Sequence, residues 1–147
     1  MTAKKVDGLV RSAIEPVPPC VAVVRFPRIS WFYPPTVLSG VPADAEIMQT
    51  EIFGPVAPIT TFRTEEEALA LANSVPVGLA GYVFTSDTAR ILRMGQKLET
   101  GMIGANLGVF SNAAAPFGGV KESGLGREGS YQGIEEFLET IYVALPA

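Results

Sequence analysis

Two stretches of the chain hold the side chains that could do chemistry. In Glu51-Ile52-Phe53-Gly54-Pro55-Val56 a carboxylate stands two residues before an aromatic ring, and a bend follows at once. Gly54 permits dihedrals that other residues avoid, Pro55 fixes its own φ, and a proline pushes its predecessor out of the helical region. The β-prone run 56–62 comes next. An acid and a ring held on a stiff bend at the mouth of a strand suit a ligand contact. Read locally, the stretch is also an ordinary loop-to-strand entry with a solvated glutamate, and the local pattern favours that plainer reading. The second stretch, residues 115–129, carries Phe117, Lys121, Arg127 and Glu128 among five glycines. Glu51, Lys121, Arg127 and Glu128 are the groups an independent chemistry could draw on, but they contain no base–nucleophile pair.

Other chemistries are closed by composition. The chain has no histidine and a single cysteine, which excludes an internal disulfide, zinc chemistry and a histidine-based triad. Cys20 lies beside Pro18-Pro19 without a histidine to activate it, so an incidental thiol is expected there. Gly124-Leu125-Gly126-Arg127-Glu128-Gly129 matches the dinucleotide-binding G-x-G-x-x-G. That motif needs a strand before it, a helix after it and an acid about 20 residues on. A loop precedes it here and eighteen residues follow Gly129, too few to close the unit. We read these glycines as close-packing points of a loop instead.

The net charge of −4, without a basic stripe, argues against nucleic acid. Charged residues make up 18% of the chain and the mean hydropathy is +0.29, greasy for a free monomer. No apolar run approaches the roughly 20 residues of a membrane span. The N-terminus has no apolar run behind its two lysines, so no signal peptide and a cytoplasmic setting are expected. The length of 147 residues suits one domain.

Periodicity supplies the scaffold. Val6, Leu9, Val10 and Ile14 predict an amphipathic helix over 4–14, stopped by Pro16. Six of the twelve prolines fall in residues 16–35, so a strand over 21–26 is confined to an edge. A strand is predicted at 57–62. A helix follows, capped by Thr64 with Glu67 completing a capping box. Residues 76–79 read as a turn and 81–85 as a strand. Ser86 or Asp87 caps the next helix, and 102–106 forms a third strand. Alternating strands and helices with short connections predict an α/β fold with parallel βαβ crossovers. Ser130 is expected to cap a last helix through Ile134, Phe137, Leu138 and Ile141, ahead of a β-prone tail at 140–145.

Four blocks in order carry a resemblance: 32–38 (FYPPTVL), 51–56 (EIFGPV), 76–85 (PVGLAGYVFT) and 115–129 (APFGGVKESGLGREG). Over residues 31–145 the chain resembles the C-terminal part of the aldehyde dehydrogenase superfamily. With Ser111-Asn112, the later blocks look most like its succinate-semialdehyde branch. The resemblance implies a partial catalytic domain. In it Glu51 meets the nicotinamide ribose, Phe53 packs near the nicotinamide, Ser111 helps hold the substrate carboxylate, and Phe117 lines the aldehyde tunnel. For Ser111 and Phe117, loop capping and core packing remain the simpler alternatives. NAD or NADP is the implied cofactor, held weakly at best by this chain alone. The tail 140–145 matches the family's oligomerisation strand, which implies a homo-oligomer or a full-length or complementary partner chain.

The family's nucleophilic cysteine, general-base glutamate and nucleotide-binding domain lie upstream of everything matched, and Cys20 falls outside the match. The resemblance therefore implies a truncated or split enzyme with no catalytic residue of its own, or else a non-catalytic assembly module. Residues 16–30 depart from the family while both flanks match, a pattern that two compensating frameshifts would produce.

Overall fold

The structure is a computed structural model that describes residues 3–15, 20–23 and 32–146. The expectations for Cys20's thiol and most of the proline-rich segment 16–30 lie outside the described residues. Residues Met1–Ala68 and Leu69–Ala147 form two compact units.

In the first unit, helix α1 (Ala3–Ile14) forms as its periodicity predicts, with Val6, Leu9, Val10 and Ala13 buried along one stripe. Strand β1 (Cys20–Val23) is the antiparallel edge of a three-stranded sheet, the position the prolines allow. Strand β2 (Thr36–Ser39) is central, a one-turn helix α2 (Glu46–Gln49) follows, and β3 (Val56–Ile59) lies parallel to β2. Leu38 of β2 is completely buried and packs with Leu9, Val10, Ala13, Val41 and Ile47 into one core. Burial of such a side chain stabilises by about 1.5–3 kcal/mol.

Helix α3 (Glu65–Asn73) runs across the division between the units. Its predicted cap forms: the Glu67 amide donates to the Thr64 hydroxyl at 3.1 Å. The return bond of the box lands one residue early, with the Arg63 amide donating to the Glu67 carboxylate at 2.7 Å.

The second unit begins with β4 (Val77–Gly78) and β5 (Ala80–Val83). Helix α4 (Thr88–Lys97) is capped by Asp87, whose carboxylate accepts from the Ala89 amide at 2.9 Å. It leads to β6 (Met102–Ala105), parallel to β5, so the expected βαβ crossover is present. Strand β7 (Val120–Lys121) pairs antiparallel with β4, and α5 (Gln132–Glu135) closes the unit.

Three expectations are corrected. The predicted strand at 57–62 stops at Ile59, and its parallel partner is β2, which reads in sequence only as a motif after Pro34-Pro35. Within the expected turn 76–79, Val77–Gly78 form a strand pairing with β7, and Gly78 also lets the backbone come within contact of Glu99's carbonyl. Ser130 does not cap α5. Its φ is +55°, its amide donates to Ala113, and the helix is a single turn starting after Tyr131. The periodicity of Ile134, Phe137, Leu138 and Ile141 is real, but all four are exposed, and a short helix without a packed face does not hold. Residues 140–145 pair with no strand among the described residues, in keeping with a tail whose expected partner is a neighbouring subunit.

Candidate functional site

The bend at residues 51–56 is built as a fixed backbone with two outward side chains. Lys5 of α1 donates to the Glu51 carbonyl at 3.1 Å. Gly54 sits against Val6, where a Cβ would come within 2.8 Å of its Cγ2. The Val56 amide donates to Gly54's carbonyl at 2.8 Å, and the Thr36 amide to Pro55's at 2.8 Å. Phe53 adopts φ +48°, a left-handed conformation costing a non-glycine residue about 1–2 kcal/mol. Phe53 is 71% exposed and Glu51 is exposed as well. A strained backbone that presents a bare ring and a bare acid is an outlier of the kind that clusters at ligand sites.

In the second unit Ser111 and Phe117 come together. They wall a recess of about 240 Å³ floored by Gly101, Met102 and Ile103, with Phe110 and Asn112 between them. Phe110 packs its ring 5.0 Å from that of Tyr82, and this requires Gly104, whose Cβ would lie 2.6 Å from the Phe110 ring. Asn112 shapes the next turn, its side-chain oxygen accepting from the Ala114 amide at 2.9 Å. None of the lining residues is charged. The recess can therefore hold an aliphatic chain and hydrogen-bond a polar end through Ser111 or Asn112, but it cannot neutralise an anion.

The loop 115–129 behaves as a packing device. Gly124, Gly126 and Gly129 all have positive φ, and Phe117 and Glu128 exchange backbone bonds of 2.8 and 2.7 Å across it. The strand before the glycines, β7, has two residues and the helix after them has four, so the G-x-G-x-x-G match lacks its supporting unit. Arg127 is engaged by the carbonyls of Gly119 and Gly126, at 2.8 and 2.6 Å. Lys121 is engaged by the carbonyls of Asn73 and Val75 and by Glu99. Among the described residues no three histidine, cysteine or acidic side chains converge as a metal site. No described helix is long and apolar enough to cross a membrane.

The aldehyde dehydrogenase family pattern matches residues 2–143. The chain belongs to the aldehyde dehydrogenase family. A succinate-semialdehyde dehydrogenase of Paenarthrobacter nicotinovorans is 56% identical over 115 residues, covering 78% of this chain and 26% of the relative. A succinate-semialdehyde dehydrogenase [NADP(+)] of Escherichia coli is 48% identical over 114 residues, covering 78% and 24%. Among solved structures, the Mycobacterium tuberculosis aldehyde dehydrogenase complexed with NAD+ superposes with a TM-score of 0.85 at 38% identity, covering 97% of this chain and 30% of that one.

The chain thus spans about a quarter of the length of the curated relatives it matches. Its parallel strand pairs and flanking helices are part of an aldehyde dehydrogenase catalytic fold. The recess brings together Ser111 and Phe117, which the sequence singles out, with Asn112, which the sequence names only beside Ser111 and without a role, and Phe110, which it does not single out. Asn112 carried a usable signal, since asparagine before small residues favours a turn closed by its own side chain. Phe110 carried none, because its place depends on Gly104 and Tyr82.

Proposed function

We propose that these residues form the substrate-facing and nicotinamide-facing part of an NAD(P)-dependent aldehyde dehydrogenase acting on succinate semialdehyde or a closely related aldehyde. As a 147-residue polypeptide on its own, the chain is inert. The observation that carries this reading is the recess shared by Ser111 and Phe117 in a chain so similar to succinate-semialdehyde dehydrogenases. Phe117 gives an aliphatic chain an apolar wall, and the Ser111 hydroxyl can donate to a carboxylate at its end. That carboxylate would still want a cation, which the recess does not contain. On the other unit, the exposed Glu51 carboxylate can accept from ribose hydroxyls, and the exposed Phe53 ring can cover a nicotinamide face. When bound, the nicotinamide accepts the hydride. Oxidation also needs a thiolate to attack the aldehyde and a base to activate water, and the described residues pair neither.

Two measurements test this. The isolated chain is expected to reduce neither NAD+ nor NADP+ with succinate semialdehyde, and any turnover would overturn the claim of inertness. In spectra of the isotopically labelled chain, succinate is expected to move the amides of Ser111, Asn112 and Phe117. NAD+ is expected to act on residues 51–54 at about 1 mM or weaker, worth only about 4 kcal/mol. Absence of any succinate effect on residues 111–117 would sink the substrate assignment.

A second reading, an assembly module, is favoured by the bare apolar tail, where Tyr142 is 88% and Leu145 84% exposed. Contiguous apolar surface of this kind marks an interface. Sedimentation of the chain is expected to show a homo-oligomer, or association with a full-length relative; a clean monomer across a wide concentration range would remove this reading.

A further inference from the structure

We propose that Lys121 is a positioning residue for the Phe117 wall of the recess, acting by locking β7 onto the ends of α3 and α4. Its backbone is held at φ +55°, a conformation an L-residue with a side chain adopts only under constraint. The constraint is visible at the other end of the side chain. Nζ donates to the carbonyls of Asn73 at 2.8 Å and Val75 at 3.2 Å, and pairs with the Glu99 carboxylate at 2.5 Å. Three donors meet three acceptors, and the side chain is only 25% exposed.

The acceptors explain why a cation belongs there. Asn73 is the last residue of α3, where carbonyls lack intrahelical partners and the helix dipole is negative. Asn73 also reaches the end of α4: its side-chain nitrogen donates to Lys97's carbonyl at 2.8 Å, and its oxygen accepts from the Glu99 amide at 2.9 Å. One ammonium and one amide therefore tie three chain segments together.

The tie is passed to the recess by backbone. Val120, next to Lys121, pairs with Gly78, and Gly101 donates to Gly78's carbonyl at 3.0 Å. Gly101 also lies so near Gly118's carbonyl that any Cβ would overlap it. Gly101 floors the recess, and Phe117 walls it from the residue before Gly118. Little apolar burial holds this loop, so its place depends on directional bonds, and those of Lys121 tie it to the ends of α3 and α4. Lys121 does not line the recess, so its role is to position, not to contact a ligand.

The significance for ligand binding rests on the substrate reading above; the positioning itself does not. The test compares Lys121→Met, Lys121→Arg and the unaltered chain by amide hydrogen exchange and by spectra with succinate as the probe. In Lys121→Met the Phe117 and Glu128 amides, which bond each other's carbonyls, are expected to exchange about tenfold faster or more, as befits loss of a charged hydrogen-bond node. The Ile91 amide, near the start of α4 and away from the tie, should keep its rate. Succinate shifts at Ser111 should weaken severalfold, and Lys121→Arg should restore both readouts. Unchanged exchange at Phe117 and Glu128, or equal acceleration throughout α4, would overturn the proposal. Should Lys121→Met fail to fold, Glu99→Gln removes the ion pair alone and is read by the same amides with the same criteria. If the unaltered chain shows no succinate shift, the substrate reading fails while the exchange comparison still decides the role of Lys121.

Discussion

The two units are held by different forces. In Met1–Ala68, α1, β2, α2 and the β2–α2 connection bury six apolar side chains against one another, with Leu38 at 0% exposure. In Leu69–Ala147, the buried apolar residues among those described are Leu69, Met94 and Met102, one each from α3, α4 and β6. Side chains bonded to backbone make up the difference there. Asn73 clamps Lys97 and Glu99, Asn106 clamps Thr85, Ser123 accepts from Gly78, and Arg127 and Lys121 each grip two carbonyls. Hydrophobic burial is non-directional and tolerates sliding, whereas these bonds fix backbone positions one by one. The recess of Ser111 and Phe117 sits in the bonded unit. A pocket wall made of glycine-rich loop has little apolar surface to bury, so polar ties are what remains to place it.

The sharpest way to break the comparison is Leu38→Ala. Removal of a completely buried leucine from the first unit's core is expected to destabilise that unit by about 2–5 kcal/mol, the range set by how far the cavity collapses. Urea unfolding followed at probes in each unit measures it. If the loss is below about 1 kcal/mol, or falls equally on amides of α4, burial is not what holds the first unit.

Next in size is Asn106→Ala in the second unit. Asn106 stands at φ +54°, its side-chain oxygen accepts from the Thr85 amide at 2.9 Å, and its nitrogen donates to the Thr85 carbonyl at 2.9 Å. The alanine loses both bonds and keeps the left-handed strain, an expected cost of about 1–2 kcal/mol since solvent can reach the freed groups. Asn106→Gly loses the same bonds but relieves the strain, and should be less costly by roughly 1 kcal/mol. Thermal melts of the pair read the two contributions separately. Equal melting temperatures would show that the backbone at 106 is not constrained.

This division also explains what the sequence disclosed. Helix α1 and the α3 and α4 caps were legible because their signals are local: a 3.6-residue stripe, a Thr64–Glu67 spacing, an aspartate ahead of a helix. Strand β2 was not, because four residues behind Pro34-Pro35 become a central strand only once Leu38 finds α1 and α2. The last helix is shorter than its periodicity predicts, because its apolar face has no packed partner among the described residues. At the candidate site, the resemblance located Ser111 and Phe117, and the structure placed them in one recess. Lys121 read only as an unassigned cation, because its partners Asn73, Val75 and Glu99 lie far away in sequence and share no pattern with it.

The smallest expected effect belongs to Glu51→Ala, and it separates ancestry from architecture. In the bend at 51–56 the contact from Lys5 goes to Glu51's backbone carbonyl, and the remaining bonds use the carbonyls of Gly54 and Pro55. The residue is exposed, and among the described residues its carboxylate makes no hydrogen bond or ion pair. Substitution should therefore leave stability within about 0.5 kcal/mol of the starting value, as for other surface changes away from caps and cores. Phe53, one turn of the same bend, should keep its left-handed backbone, visible as an unchanged Phe53 amide position in the spectrum. A large loss of stability would mean the acid is structural after all, and the plain loop-to-strand reading of this stretch would then outweigh the nicotinamide one. A silent substitution leaves Glu51 as a group the fold displays without needing, as the proposed ribose contact requires.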